Sequence, residues 1–363
     1  MQLIDNPTIK YGFTTRAVPL EEMARVVPMH APPRIGDLVL AEVQDLGRHY
    51  RMEIRTGVAM YLFPGDHIVG AFGNRYATDQ YEGYLPTRQV KECDLLSVGG
   101  VCGEVASQHA SMAGRPTRLR ILGLVSDEDD RPINQCAFGL PPYVVGEHLE
   151  RSAEVILVVG SSMNSGKTTT AGTLARALSR ANFSVAAGKI TGTAAGKDGR
   201  FYEACGARPV LDFTSAGYPS TYMLSLEELL GVYESILSNL RASNPDYIIL
   251  EIADGIFQRE TRMLLESAEF RRSADHVFFA AGDSLSAESG VRLVREYGLP
   301  LRATAGSVTR SPLASREAEE VLGMPCMSIE RIMDGTLQEV LGTGQALEWS
   351  TRDDVFAPTE EVA

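Results

Sequence analysis

The chain has 363 residues, 44% hydrophobic and 22% charged, with a net charge of −13; this length exceeds one typical core and implies about two domains. The acidity runs through both parts, with 14 Lys and Arg against 19 Asp and Glu in residues 1–150 and 20 against 28 after them, which disfavours broad binding to nucleic acid. No apolar run is long enough to span a membrane, the first residues lack the basic-then-apolar order of a secretory signal, and five scattered cysteines fit reduced thiols in a cytoplasm better than a disulfide framework.

Residues 1–148 read as a small β-rich, barrel-like domain. "GDLVLAEVQ" (36–44), "YRMEIRTG" (50–57) and "HIVGAFG" (67–73) are short runs bounded by turn signals such as Pro64-Gly65-Asp66, and "TRLRILGLVSD" (117–127) adds a further strand. Short, evenly spaced strands predict a barrel. "RIGDLVLAEV" and "FPGDHIVGAF" echo each other 29 residues apart, marking either two half-barrel units or two hairpins with shared turn chemistry. Cys93, Cys102 and His109 match no zinc spacing, so the cysteines read as buried thiols. Residues 138–152, with Pro141-Pro142, read as the linker.

Residues 149–343 change rhythm. Strands are predicted at 153–160, "FSVAAGKI", "DYIILE", "HVFFAAG" and "LRATAGSV"; helices at 168–181, 225–243, 258–272, 287–297 and 316–322. Ser225 with Glu228 three residues on is a capping box. Such alternation predicts an α/β domain, a mainly parallel sheet with helices on both faces. Residues 344–363 read as a flexible acidic tail.

The strand ending at Gly160 runs into "GSSMNSGKTT" and then a helix. That context makes Gly160, Ser161, Ser162, Met163, Asn164, Ser165, Gly166, Lys167, Thr168 and Thr169 a phosphate-binding loop. Backbone N–H groups and the helix dipole face the phosphates, Lys167 reaches the β- and γ-phosphates, and Thr168 ligates Mg²⁺. The expected cofactors are Mg²⁺ and ATP or GTP. The spacing is unusual: five residues, not four, separate Gly160 from Gly166-Lys167-Thr168.

This longer loop resembles that of the dethiobiotin synthetase and cobyrinate amide synthetase families. The resemblance covers about residues 153–330 and extends to a strand ending in a lysine, Lys189, and to "IILEIADG", where Glu251, Ala253 and Gly255 stay in register and Asp254 replaces a glycine. It implies Lys167, Lys189 and Glu251 as catalytic residues and Thr168, Glu251 and Asp198 as metal-holding groups, with Asp212 as a second candidate; Asp254 is a further catalytic candidate on its own chemistry. Asp198 reads as part of a polar loop. Lys189 would pair a substrate carboxylate or the γ-phosphate or simply be a solvated lysine, and Asp254 would act as a general base, contact substrate or simply make a turn. The loop 213–223, with Tyr218, Ser220, Thr221 and Tyr222, reads either as a pocket wall or lid or as an ordinary surface loop.

The sequence departs from the families in three ways. No asparagine stands in "SVTRS" (307–311), where the base would be read; no glutaminase segment accompanies the sheet; and the β-rich domain is foreign to both. The resemblance implies an ATP-dependent ligase or kinase that activates a small carboxylate or similar oxyanion by phosphoryl transfer; the chain is also expected to be cytoplasmic, away from membranes, and homo-oligomeric. The alternative is an ATPase or GTPase switch whose β-domain binds a protein partner. A DNA motor fits the acidic charge poorly.

Overall fold

The computed structural model describes residues 8–112, 114–142 and 153–342. Most of the expected linker, the boundary at residue 148 and the acidic tail lie outside those residues. Ten strands come first: Lys10–Tyr11 (β1), Arg25–Val27 (β2), Leu38–Asp45 (β3), Arg51–Glu53 (β4), Ala59–Tyr61 (β5), His67–Phe72 (β6), Tyr81–Tyr84 (β7), Glu92–Leu95 (β8), Val101–Gln108 (β9) and Thr117–Ser126 (β10). β6, β3, β10, β8 and β9 pair in succession, and β9 pairs back onto β6. The circuit closes, so this unit is a five-stranded barrel with no free edge among those strands. The two echoed segments are β3 and β6, which lie side by side, antiparallel, from Leu38↔Ala71 to Glu42↔His67.

β3 reads as a continuous apolar run because it is buried on both faces. Val39, Ala41 and Val43 join Ile68, Phe72, Cys93 and Cys102 in one core, while Leu38 and Leu40 join Val69, Ala71 and Val125 in another. Cys93 and Cys102 are buried free thiols.

The second sheet is wholly parallel. Its strands are Glu154–Gly160 (β11), Val185–Lys189 (β12), Val210–Asp212 (β13), Tyr247–Glu251 (β14), His276–Ala280 (β15) and Leu301–Ala305 (β16), in the order β13-β12-β14-β11-β15-β16. Helices follow as Lys167–Arg180 (α1), Gly196–Ala204 (α2), Leu226–Arg241 (α3), Arg259–Glu266 (α4), Ala268–Arg272 (α5), Ser284–Glu296 (α6), Pro312–Leu322 (α7), Ile329–Met333 (α8) and Thr336–Leu341 (α9). Alternate residues of β11 feed opposite cores. Val155, Leu157 and Val159 meet α3, α4, α5, α6 and α7; Ile156 and Val158 meet α1, α8 and α9. Helices therefore cover both faces of a parallel sheet, the expected α/β architecture, and the β-barrel is an addition to it.

Several elements differ from expectation. The stretch 258–272 is two helices, because Ser267 adopts an extended conformation and caps α5. Asp198 is not in a polar loop: it sits in the first turn of α2, a helix whose Gly196 and Gly199 lower its propensity and hide it in the sequence. The capping box at Ser225 and Glu228 is present as expected.

The two units share a core. Phe13, Leu96 and Val101 of the β-rich unit pack in the same apolar cluster as Ile190, Ala194, Phe213 and Leu224. Among the described residues no helix is long and apolar enough to cross a membrane.

Candidate functional site

β11 lies between β14 and β15, and α1 carries the chain over β14 to β12. Strand order thus reverses beside β11, which opens a crevice at the carboxyl edge of the sheet. The 160–169 loop fills its rim. Gly166 stands at φ 99°, a left-handed conformation suited to glycine, and turns the chain into α1. Lys167 is only 5% exposed; its Nζ reaches back over the loop and donates to the Ser162 carbonyl at 2.8 Å. Burial pushes the Lys167 ammonium below the usual lysine range, with Glu251 and Asp254 partly offsetting the effect. Met163 is half-buried and Asn164 and Thr169 are exposed, while the Ser165 side chain is buried.

Two turns flank the loop. On one side Gly306 and the 3₁₀ turn Ser307–Arg310 touch it, the Ser307 N–H donating to the Ser165 carbonyl at 2.8 Å. On the other side lies Gly255, whose absent Cβ would stand 2.4 Å from the Ser161 carbonyl oxygen. Gly255→Ala is therefore expected to displace the loop and to weaken nucleotide binding about tenfold or more at little cost to the distant core. Titration with a fluorescent nucleotide checks this, and wild-type affinity in the variant contradicts it.

Glu251 ends β14 and is 2% exposed. Its carboxylate accepts hydrogen bonds from Thr168 Oγ1, at 3.0 Å to Oε2 and 3.2 Å to Oε1, and from the Tyr202 hydroxyl of α2. Lys189, paired with Glu251 in the strand register, places its Nζ 3.5 Å from Glu251 Oε1 and also pairs with Asp198. Burial alone would lower Lys189, but Glu251 and Asp198 outweigh it and hold the ammonium above the usual range. Burial likewise pushes Asp198 up, and Lys189 more than reverses it. Tyr202 is raised well above the usual phenol range by burial and then by Glu251, so it stays a donor.

The structure thus brings together Lys167, Thr168, Lys189, Asp198 and Glu251. Thr168 and Glu251 present hard oxygen donors side by side at the helix start, a set that fits Mg²⁺ completed by phosphate and water. Asp212, the second metal candidate, is engaged elsewhere: its Oδ1 accepts from Arg16 of the β-rich unit at 2.7 Å and from the Thr214 N–H at 2.8 Å. Among the described residues no group of three His, Cys, Asp or Glu side chains is arranged to hold a metal.

Asp254 lies in the turn after β14 at φ 58°. Burial pushes its carboxyl up and Lys167 and Lys189 pull it back, leaving it at about 6.

Sequence reasoning named no residue of the β-rich unit for the site. Asp79 accepts from the Asn164 side chain of the phosphate loop at 2.7 Å. Asn74 donates to the Tyr222 carbonyl at 3.3 Å, and the Tyr222 ring lies 5.4 Å from Tyr76 and 5.8 Å from Tyr84. Loop 213–223 is therefore built into the seam between the units. Ser220 and Thr221 are buried, Thr221 Oγ1 accepting from the Gly192 N–H at 2.9 Å, and Tyr218 is half-buried. Tyr202 was also missed; its position four residues after Asp198 is a helical signal only once α2 is recognised.

No protein-family model matches the chain, and no curated protein does. Solved structures that overlap it include the signal recognition particle 54 kDa protein of Aeropyrum pernix K1 in complex with GDP, at 19% identity over 54% of this chain and 47% of that one, TM-score 0.38. The signal recognition particle receptor FtsY of Elizabethkingia anophelis in complex with GDP overlaps at 17% identity over 46% of this chain and 52% of that one, TM-score 0.33. The chain thus spans about half the length of these structures, and overlaps this loose say no more than its own sheet order does. Neither is a dethiobiotin or cobyrinate amide synthetase, so that resemblance rests on the sequence motifs.

Proposed function

We propose that this chain binds a magnesium nucleoside triphosphate in the 160–169 loop, cleaves the γ-phosphoryl bond, and registers the state of the loop in its β-rich unit. The observation that carries the reading is the meeting of Lys167, Thr168 and Glu251 at the start of α1, beside a phosphate loop on the switch-point strand. Lys167 would leave the Ser162 carbonyl for the phosphates, and backbone amides of the loop would bind their oxygens. Thr168 and Glu251 would hold Mg²⁺, which neutralises charge on the transferring group when bound. Asp254, near neutrality in its proton affinity, would take the proton of the attacking group.

Two observations favour a switch over the ligase or kinase reading. The Asn164–Asp79 hydrogen bond ties the phosphate loop to the β-rich unit, so filling the loop is felt there. The ligase reading needs a cation for the acceptor's negative charge, and Lys189 is already balanced by Asp198 and Glu251. In both readings Asp254 serves the same step, removing a proton from water or from an acceptor.

Hydrolysis of ATP and of GTP, alone and with small carboxylates, combined with amide exchange at residues 74–84, tests the proposal. The expected result is slow hydrolysis without any metabolite and altered exchange at 74–84 with nucleotide. Stimulation of about a hundredfold by a carboxylate, with exchange at 74–84 unchanged, would replace the switch by the ligase. Absence of nucleotide binding removes both.

A further inference from the structure

Helix α2 carries two of the groups that surround the Glu251 carboxylate: Tyr202, which donates to Glu251, and Asp198, which holds Lys189. Its own sequence does little to fix its start. Ala195 at the N-cap offers no side-chain acceptor, so the first N–H groups of the helix need partners from elsewhere. The β4–β5 hairpin of the β-rich unit supplies one. Glu53, 6% exposed, accepts from the Gly196 N–H through Oε2 at 2.6 Å and from Arg200 Nη2 through Oε1 at 3.2 Å. The Gly57 carbonyl, in the turn of the same hairpin, accepts from Arg200 Nη1. The hairpin is itself fixed: the Glu53 N–H donates to the Val98 carbonyl at 2.7 Å, and Glu53 pairs with Ala59 across the strands.

A carboxylate distant in sequence thus does what a Ser or Asp N-cap does in an ordinary helix. Its charge complements the positive end of the helix dipole. We infer that Glu53 is a positioning residue for the phosphoryl-transfer site: by fixing the first turn of α2 it sets Tyr202 and Asp198 against Glu251 and Lys189, and so aims the carboxylate that faces Thr168. Glu53 hydrogen-bonds to Gly196, Arg200 and Val98, outside the 160–169 loop. The inference rests on the nucleotide reading above.

The test uses the full chain with Glu53→Gln, Tyr202→Phe and the double variant. Three quantities are measured: hydrolysis rate, the Mg²⁺ concentration at half-maximal rate, and nucleotide affinity without Mg²⁺. Each single variant is expected to raise the Mg²⁺ requirement about tenfold, the lower end of the effect of one lost hydrogen bond to a charged group. Metal-free nucleotide affinity should stay within about twofold of wild type, because Lys167 and the loop amides are untouched. The double variant should be no worse than the more affected single. An unchanged Mg²⁺ requirement in folded Glu53→Gln overturns the inference, as do single effects that multiply in the double variant. Should Glu53→Gln fail to fold, Glu53→Asp decides, since it keeps the charge but draws the carboxylate back from the Gly196 N–H by one methylene: a raised Mg²⁺ requirement supports the inference and an unchanged one overturns it. A wild-type chain without Mg²⁺-dependent hydrolysis fails the nucleotide reading instead, before any variant is compared.

Discussion

Lys167→Ala is expected to weaken nucleoside triphosphate binding by about a hundredfold, the loss of a charge-assisted hydrogen bond to phosphate in a partly desolvated site. The free protein should stay folded. In it the ammonium is buried at 5% exposure and makes one backbone hydrogen bond, to the Ser162 carbonyl, and its desolvation works against the charged form. Removing it deletes a cation whose burial works against the fold. Calorimetric titration with ATP and GTP reads the affinity, and thermal unfolding reads the fold. Undiminished affinity in a folded Lys167→Ala protein would remove the phosphate-loop reading altogether.

Asp254→Asn carries the second large effect, and it has two signs. In wild type the hydrolysis rate should fall as pH drops through about 6, where burial has placed the Asp254 carboxyl. The variant should be slower by about a hundredfold or more, the usual worth of a positioned base, and should lack that acid limb. Stability moves the other way. The folded-state carboxyl at about 6 lies above its ordinary 3.8, so between these values the folded protein binds more protons than the unfolded chain. Wild-type stability relative to the variant therefore falls as pH rises across that interval; the penalty is complete above about 6 and absent below about 3.8. At pH 7 the variant should gain about 2 kcal/mol, discounting the shift for the partial exposure of the group. Asparagine tolerates the left-handed backbone at φ 58°, so the substitution adds no strain. Denaturant titrations at pH 5 and pH 8 check the sign. A variant less stable than wild type at pH 8, or with an unaltered acid limb, contradicts the assignment.

The parallel sheet was legible through its inner strands, since β11, β12, β14 and β15 are buried on both faces, and through its helices, which carry caps and stripes, as at Ser225 and Glu228. The loop from Gly160 to Thr169 was legible because its glycines, serines and Lys-Thr pair lie together between a strand and a helix, within one local window. What stayed hidden has a common cause. Six of the β-rich unit's strands, β1, β2, β5, β7, β8 and β9, are short or half-exposed, and pairing rather than pattern defines them. α2 is hidden by its two glycines, and its cap is a glutamate from another unit, which no local window contains. The Asp79–Asn164 and Tyr222–Tyr76 contacts likewise join residues far apart in sequence, and a barrel that closes through β6–β9 announces itself only in space. Asp198 was given the wrong local structure, and Lys189 was read as pairing substrate or phosphate or as solvated, although two carboxylates of the chain surround it.

The common core formed by Phe13, Leu96 and Val101 with Ile190, Phe213 and Leu224 bears on how the chain is dissected. Residues 153–342 expressed alone would present to water an apolar face that the β-rich unit normally covers, together with an uncapped α2. Exposed patches of that kind drive aggregation. The barrel is therefore no detachable attachment; excising it takes away part of the interior of what remains.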